Sequence, residues 1–234
     1  MLGARASARV ARGFSAPPLA AAFLPETEWT APNPALKAER ATEYSVGVQA
    51  RPCGAFETGV ELFRTRVKDA IQSVTNDKGQ TVAENVGHQR RQGVEVSGAL
   101  RLAGPLSLAG GVTYNRVRAG TEEAVVDGTA RQTRDLTVRY GSDSSMTRLW
   151  VGGHWVAYDL GPDLTGPPLG FTARDRRFIW SAKGTRRHPV WHGAGVVSLD
   201  LSVENVLDTS SWWLTPYPLP GRAVYVGVGF GAGR

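Results

Sequence analysis

Apolar and polar residues alternate with a period of two along most of this chain, the pattern of strands that present one apolar face. Between Gly3 and Phe14, Ala4, Ala6, Ala8 and Val10 fall on one side and Arg5, Ser7 and Arg9 on the other. From Ala41 to Arg51, Tyr44, Val46, Val48 and Ala50 oppose Glu43, Ser45 and Gln49. Gly93 to Leu102 sets Val94, Val96, Leu100 and Leu102 against Glu95, Ser97 and Arg101. Leu106 to Asn115 sets Leu106, Leu108, Val112 and Tyr114 against Ser107, Thr113 and Asn115. Val197 to Glu204 is the sharpest, with Val197, Leu199, Leu201 and Val203 opposing Ser198, Asp200, Ser202 and Glu204. Near the end, Val224, Val226, Val228 and Phe230 alternate with Tyr225 and two glycines. Phe56 to Val67 starts with Phe56, Val60 and Leu62 on one side and slips phase near Phe63, which predicts a bulge. Arg134 to Tyr140, Thr147 to Tyr158 and Arg177 to Lys183 complete about ten predicted strands. No stretch shows the 3.6-residue period of an amphipathic helix.

The connections alternate in length. Pro52 to Gly54, Ala103 to Pro105 and Gly141 to Ser145 are short. Ser15 to Arg40, Ser73 to Val86, Val117 to Gln132, Asp159 to Arg176 and Asp208 to Gly221 are long and polar. Gly184 to Gly195 breaks the rule, being longer than a tight turn. Long loops at one end and short turns at the other fit a transmembrane β-barrel, and strands of about 9–11 residues fit a tilted crossing of the bilayer core. Tyr44, Tyr114, Tyr140, Tyr158 and Trp180 stand near strand ends, where interfacial aromatic girdles form. A soluble antiparallel protein also shows alternating strands with terminal tyrosines, so the pattern alone leaves both architectures open.

Composition narrows the field. With 41% hydrophobic residues the chain is not disordered, and its 28 glycines and 14 prolines show no collagen period. Cys53 is the single cysteine, which excludes a disulfide framework and a thiolate metal cage. The net charge is +6, and all but four of the 27 basic residues are arginine. They are scattered, with no cluster beyond pairs such as Arg90-Arg91 and Arg186-Arg187, which rules out a concentrated basic arm and argues against nucleic acid as a partner. Met1 to Leu24 has no acid and carries Arg5, Arg9 and Arg12, a composition seen in transit peptides. It lacks a continuous apolar core, however, and reads as a strand.

Three segments resemble one family, the TonB-dependent outer-membrane receptors. The first is Arg12-Gly13-Phe14-Ser15-Ala16-Pro17 followed by Asn33-Pro34-Ala35-Leu36-Lys37-Ala38-Glu39 and Tyr44-Ser45-Val46-Gly47. The second is Phe63 to Ile71, followed by Asn85-Val86-Gly87 and Gly93-Val94-Glu95. The third pairs Val203-Glu204-Asn205-Val206-Leu207-Asp208 with Pro220-Gly221-Arg222-Ala223-Val224-Tyr225. They occur in the family's order and together span nearly the whole chain. The resemblance implies an all-β, antiparallel up-and-down transmembrane barrel. Residues 1–234 would hold about its last ten strands, an open half of a barrel of roughly 22. No plug domain, signal peptide or TonB-contacting box is expected within 1–234. The closing aromatic that the family places at its C-terminus is displaced, since Phe230 is followed by Gly-Ala-Gly-Arg.

The family-motif positions that follow are Asn33, Pro34, Leu36, Glu39, Gly93, Glu95, Asn205, Asp208, Pro220, Gly221 and Arg222, all with structural roles. Pro220-Gly221 supplies fixed and permissive backbone before a strand, and Asn205 and Asp208 are short polar residues able to bond local backbone. His188 and His192 have a zinc-like i, i+4 spacing, but Pro189 lies between them and no carboxylate accompanies them, so the segment reads as a turn. The glycines at 227, 229, 231 and 233 precede no helix and so do not form a phosphate loop. Trp212, Trp213 and Tyr217 lie in a long loop, where interfacial anchoring explains them better than ligand stacking. No nucleophile–base pair or metal cluster emerges, so neither an enzyme nor a resident cofactor is expected. The resemblance implies a Gram-negative outer-membrane receptor for a bulky, scarce nutrient of siderophore-iron, haem or cobalamin type. Its partners would be membrane lipid, the chelate and, through the missing N-terminal part, the TonB complex. A soluble β-sheet binding module and a truncated inactive product are the alternatives.

Overall fold

The computed structural model describes residues 3–119, 124–125, 129–142, 145–159, 178–209 and 220–232. In chain order the elements are β1 (Gly3–Ser15), α1 (Leu19–Phe23), β2 (Thr30–Ala31), β3 (Glu39–Cys53), β4 (Phe56–Lys68), β5 (Ile71–Thr75), β6 (Thr81–Asn85) and β7 (His88–Arg101). Next come β8 (Leu106–Ala119), β9 (Ala124–Val125), β10 (Thr129–Tyr140), β11 (Thr147–Asp159), β12 (Ile179–Val190), a single 3₁₀ turn (Trp191–Gly193), β13 (Gly195–Glu204) and β14 (Ala223–Ala232).

Ten long strands form one antiparallel meander in the order β1-β3-β4-β7-β8-β10-β11-β12-β13-β14, with β9 added alongside β8. Strands β1 and β14 each pair with one neighbour, so the sheet is unclosed. Because consecutive strands run antiparallel, the connections alternate between the two ends. The segments 16–38, 69–87, 120–128, 160–178 and 205–222 all leave from one end, and 54–55, 102–105, 141–146 and 191–194 from the other. The expected separation of long loops from short turns therefore holds.

Several details differ from the sequence reading. No bulge lies near Phe63: β4 stays in register with both neighbours through that residue, and the shifts fall at Ala50/Cys53 and Ala130/Gln132. Phe63 lies on the face that carries the carboxylates, held over Gly93 and under the Arg91 guanidinium, which lies 5.1 Å from its ring centroid. The long connection Gly184 to Gly195 disappears, because β12 continues through Arg186-Arg187-His188-Pro189 to Val190, leaving a tight turn. The strand expected over Arg177 to Lys183 accordingly begins at Ile179, and the strands expected at Gly93, Arg134 and Leu106 extend further toward the long-loop end. The long loops are not all irregular: 16–38 contains the helix α1, and most of Ser73 to Val86 forms the β5–β6 hairpin. That hairpin joins β2 in a separate three-stranded sheet, with β2 parallel to β6. Its turn runs Asn76–Gly79, where glycine supplies a φ of 79°.

The large sheet is a single layer. Each long strand packs against its sheet neighbours, with no second layer beneath it among the described residues. The accessible surface is 16137 Å², against about 10,000 Å² for a compact protein of this mass. The buried apolar residues are small or peripheral: Ala22, Ala70, Val117, Ala119, Trp155 and Ala157. One face of the sheet carries Val46, Val48, Val60, Leu62, Val96, Val112, Leu136, Val138, Leu199, Leu201, Val226 and Val228, all exposed. Val46 is 53% and Leu201 49% exposed although both lie inside the sheet rather than at its edge. An apolar area of this extent is not left in water by a monomeric soluble protein. On the opposite face the register sets Glu43, Glu57, Glu61, Glu95, Asp135, Asp200 and Glu204. No described helix is long and apolar enough to cross a membrane.

Candidate functional site

At the long-loop end, short polar side chains fasten the loops to one another. Asn33 is the first clamp. Its backbone N–H donates to Ala21 of α1 at 2.8 Å, its side-chain amide donates to the Ala83 carbonyl of β6 at 2.9 Å, and its Oδ1 accepts the Ala35 N–H at 3.0 Å. Pro34 lies inside that turn, which the Leu36 N–H closes on the Asn33 carbonyl at 3.3 Å. Glu39 Oε1 accepts the Ile71 N–H at 2.7 Å, tying the start of β3 to β5. Asn85 completes the arrangement: its Oδ1 accepts the Lys37 N–H at 2.8 Å, and its amide donates to the carbonyls of Lys37 and Asp69. These bonds join two loops separated by some fifty residues of sequence, so local pattern gave no sign of the pairing.

The small sheet has its own anchor. Gln80 is buried; its amide donates to Glu26 Oε1 at 3.0 Å and to the Thr27 carbonyl at 2.9 Å, while Asn76 bonds its side-chain oxygen. Lys78 lies 3.5 Å from Glu26. The Gln80 hydrogen bond, then the Lys78 charge, hold the Glu26 carboxyl below the usual carboxylate range. Sequence reasoning missed Gln80, because a glutamine in a polar loop carries no periodic signal.

A second clamp closes the last loop. Asn205 is buried in left-handed backbone at φ 48°, and its amide reaches the carbonyls of Thr209 and Pro220 while its Oδ1 accepts the Thr209 N–H at 2.8 Å. Asp208, also left-handed at φ 51°, accepts the Arg222 N–H at 2.8 Å through Oδ1. Gly221 lies beside that carboxylate, where an added Cβ would come within 3.1 Å of Oδ1. Asparagine and aspartate tolerate this backbone better than other residues with a Cβ.

Gly93 and Glu95 lie elsewhere, on the polar face. A Cβ at Gly93 would stand 2.2 Å from the Tyr114 carbonyl oxygen and 2.6 Å from the Phe63 ring. Glu95 pairs directly across from Glu61 on β4 and Thr113 on β8. The same face holds Arg51 bonded to Glu57 at 2.8 Å, Thr185 donating to Asp200 at 2.6 Å, and His154 within 2.6 Å of Asp135. Gly227, Gly229 and Gly231 also face this side, opposite Asp200, Ser198 and Val196.

His188 lies in β12 and His192 in the following turn, and no group of three metal-ligating side chains occurs among the described residues. Tyr44 and Tyr114 stand on the apolar face toward the long-loop end, and Tyr140 toward the short-turn end. Trp180, on that face, packs over Gly153 and stacks with Phe178, with ring centroids 5.5 Å apart. Trp212, Trp213, Tyr217 and Gly233 lie outside the described residues.

A single-layer antiparallel meander with one exposed apolar face, a charged opposite face and clamped loops at one end has the architecture of a section of β-barrel wall. Comparison with solved structures gives the same architecture. The copper transporter OprC superposes with a TM-score of 0.71 at 15% identity over 96% of this chain and 37% of its own. The ferric enterobactin receptor PfeA from Pseudomonas aeruginosa gives 0.70 at 19% identity over 98% and 38%. The FrpB iron transporter from Neisseria meningitidis gives 0.57 at 20% over 86% and 32%. The chain thus spans about a third of the length of these relatives. No curated protein matches it by sequence. Residues 3–214 match the family described as TonB dependent receptor-like, beta-barrel, a family of receptors and transporters rather than enzymes. The chain belongs to the TonB-dependent receptor β-barrel family.

Proposed function

We propose that residues 1–234 are a section of barrel wall, the C-terminal part, of an outer-membrane TonB-dependent receptor that imports a bulky, scarce nutrient such as a siderophore-bound or other chelated metal. The observation that carries this reading is the two-sidedness of the sheet: an exposed apolar face fit for lipid and a carboxylate-bearing face fit for a wet interior. The similarity to a copper transporter and a ferric enterobactin receptor supports a metal-containing cargo. In this reading the clamped long loops face outward and meet the cargo. The energised step belongs to a plug moved by the TonB complex, since a wall of paired strands has no part able to unplug itself. The motif residues Asn33, Glu39, Asn205 and Asp208 then act as loop anchors rather than ligand contacts.

Thiol labelling tests the orientation. With the exposed Cys53 first replaced by serine, single cysteines are placed from Val197 to Glu204 in protein reconstituted into bilayers. A water-soluble reagent should label Ser198→Cys, Asp200→Cys and Ser202→Cys and spare Leu199→Cys and Leu201→Cys. Equal labelling of both sets overturns the membrane assignment. Reading the DNA upstream of Met1 for plug-coding sequence tests the relation to a larger receptor.

A further inference from the structure

On the carboxylate-bearing face, near the long-loop end, an open recess of about 490 Å³ is bounded by the clamp residues Asn205, Pro220 and Gly221. Register sets its floor. Trp150 of β11 lies directly opposite Lys183 of β12, which in turn lies directly opposite Ser202 of β13. One step nearer the loops, Gly152 faces Ser181, and Glu204 follows beyond the pair Ala182–Val203. The indole lies down over the glycine: a Cβ at Gly152 would stand 2.3 Å from Trp150 Cζ2 and 2.6 Å from Cη2. Because that Cβ is absent, the ring rests along the sheet and lines the recess.

Around that ring the side chains of Lys183, Glu204, Ser181 and Ser202 make no hydrogen bond or ion pair among the described residues. The recess therefore offers one cation, one anion and two hydroxyls beside an apolar plane. An anionic ligand would gain at Lys183 and be repelled at Glu204, and a cationic ligand the reverse. A neutral ring edged with hydroxyls satisfies both. Each hydroxyl donates as well as accepts, so the ring can donate to the Glu204 carboxylate and accept from the Lys183 ammonium. Hydrogen bonds to ionised groups are the stronger ones. The apolar C–H face of such a ring meets the electron-rich face of the indole. A zwitterion also matches the two charges, but a small one leaves both serines and most of the volume unused. A recess of this size takes a ligand of about two or three sugar rings.

We propose that this recess binds a neutral oligosaccharide, with one sugar ring stacked on Trp150 and its hydroxyls bonded between Lys183 and Glu204. The inference goes beyond the function proposed above. It requires only that this face of the wall meets water, and it does not depend on a metal in the imported cargo.

The test uses the full chain in lauryldimethylamine oxide micelles, because maltoside and glucoside detergents would themselves compete. Maltotriose and cellotriose are titrated by calorimetry, with benzoate as an anionic aromatic probe and phenylalanine as a zwitterionic one. At least one trisaccharide should bind about tenfold or more tightly than either of those. Trp150→Ala should weaken that binding about tenfold, and Trp150→Phe, which keeps a ring, should retain part of it. Gly152→Ala, which displaces the indole without removing it, should weaken binding as well. Lys183→Met and Glu204→Gln should each weaken it about three- to tenfold. Trp180→Phe, on the apolar face over Gly153, should bind as the wild type does. No binding of either trisaccharide overturns the proposal, as does binding that survives Trp150→Ala or is lost equally in Trp180→Phe. Tighter binding of benzoate or phenylalanine overturns the choice of a neutral sugar. If the thiol labelling fails to alternate while sugar binding holds, the function proposed above falls; if labelling alternates and no sugar binds, only this proposal falls.

Discussion

Gly93 shows how far one atom can matter in a single-layer sheet. A Cβ there meets a backbone carbonyl at 2.2 Å, and the Tyr114 main chain cannot move aside without breaking its ladder. Gly93→Ala is expected to cost about 1–3 kcal/mol, read as a lower urea midpoint of the lipid-embedded protein. At Asn205 two effects separate cleanly. Asn205→Gly keeps the left-handed backbone but leaves the Thr209 and Pro220 groups without partners, costing about 1–3 kcal/mol. Asn205→Ala adds backbone strain of about 1–2 kcal/mol, so stability should fall in the order wild type, glycine, alanine. The reverse order would mean that the loop re-forms without the clamp. Glu95 offers the opposite sign: it faces Glu61 across the strands, and Glu95→Gln should gain about 0.2–1 kcal/mol in the same titration.

Among the elements, the small sheet over β2, β5 and β6 is expected to lose stability in acid. Its Glu26 carboxyl lies below the ordinary value of 4.5 because Gln80 and then Lys78 favour the charged form. A carboxylate whose folded pKa is depressed contributes stability above its unfolded value and loses it as pH falls through the folded one. Below pH 4.5 the amides of β5 and β6 should therefore exchange faster than intrinsic rates require, while those of β7 and β8 remain protected. Glu26→Gln retains an acceptor for Gln80 and should remove this pH dependence. An unchanged pH profile in the variant would assign the effect to another group.

For the whole molecule, the outer edges of β1 and β14, which have no partner strand, dominate. Each presents an edge of backbone donors and acceptors that water can satisfy and lipid cannot, while the apolar face has the opposite requirement. Residues 1–234 made alone should therefore aggregate in water and give no compact band that shifts on boiling in gel electrophoresis. A discrete heat-shifting species would show that β1 pairs with β14 and would overturn the open-sheet description. Leu201→Arg should cost about 2–4 kcal/mol in a bilayer if position 201 lies near the midplane, and far less in water.

The sequence by itself determined the strands, their two faces and the order of short and long connections. Period-two alternation such as Val197 to Glu204 is a local property, and an antiparallel meander follows from short turns between such strands. The motif residues were also legible, through their resemblance to a family, though not the partners they bond. Tertiary structure alone decided what is non-local. It paired Asn33 with β6 and Asn85 with Lys37, built a sheet from pieces of two loops, and replaced the supposed bulge at Phe63 by a ring seated over Gly93. It also gathered arginines that look scattered along the chain. Residues 66, 90 and 118 are far apart in sequence, and only the register of three strands, fixed by backbone hydrogen bonds, sets them side by side.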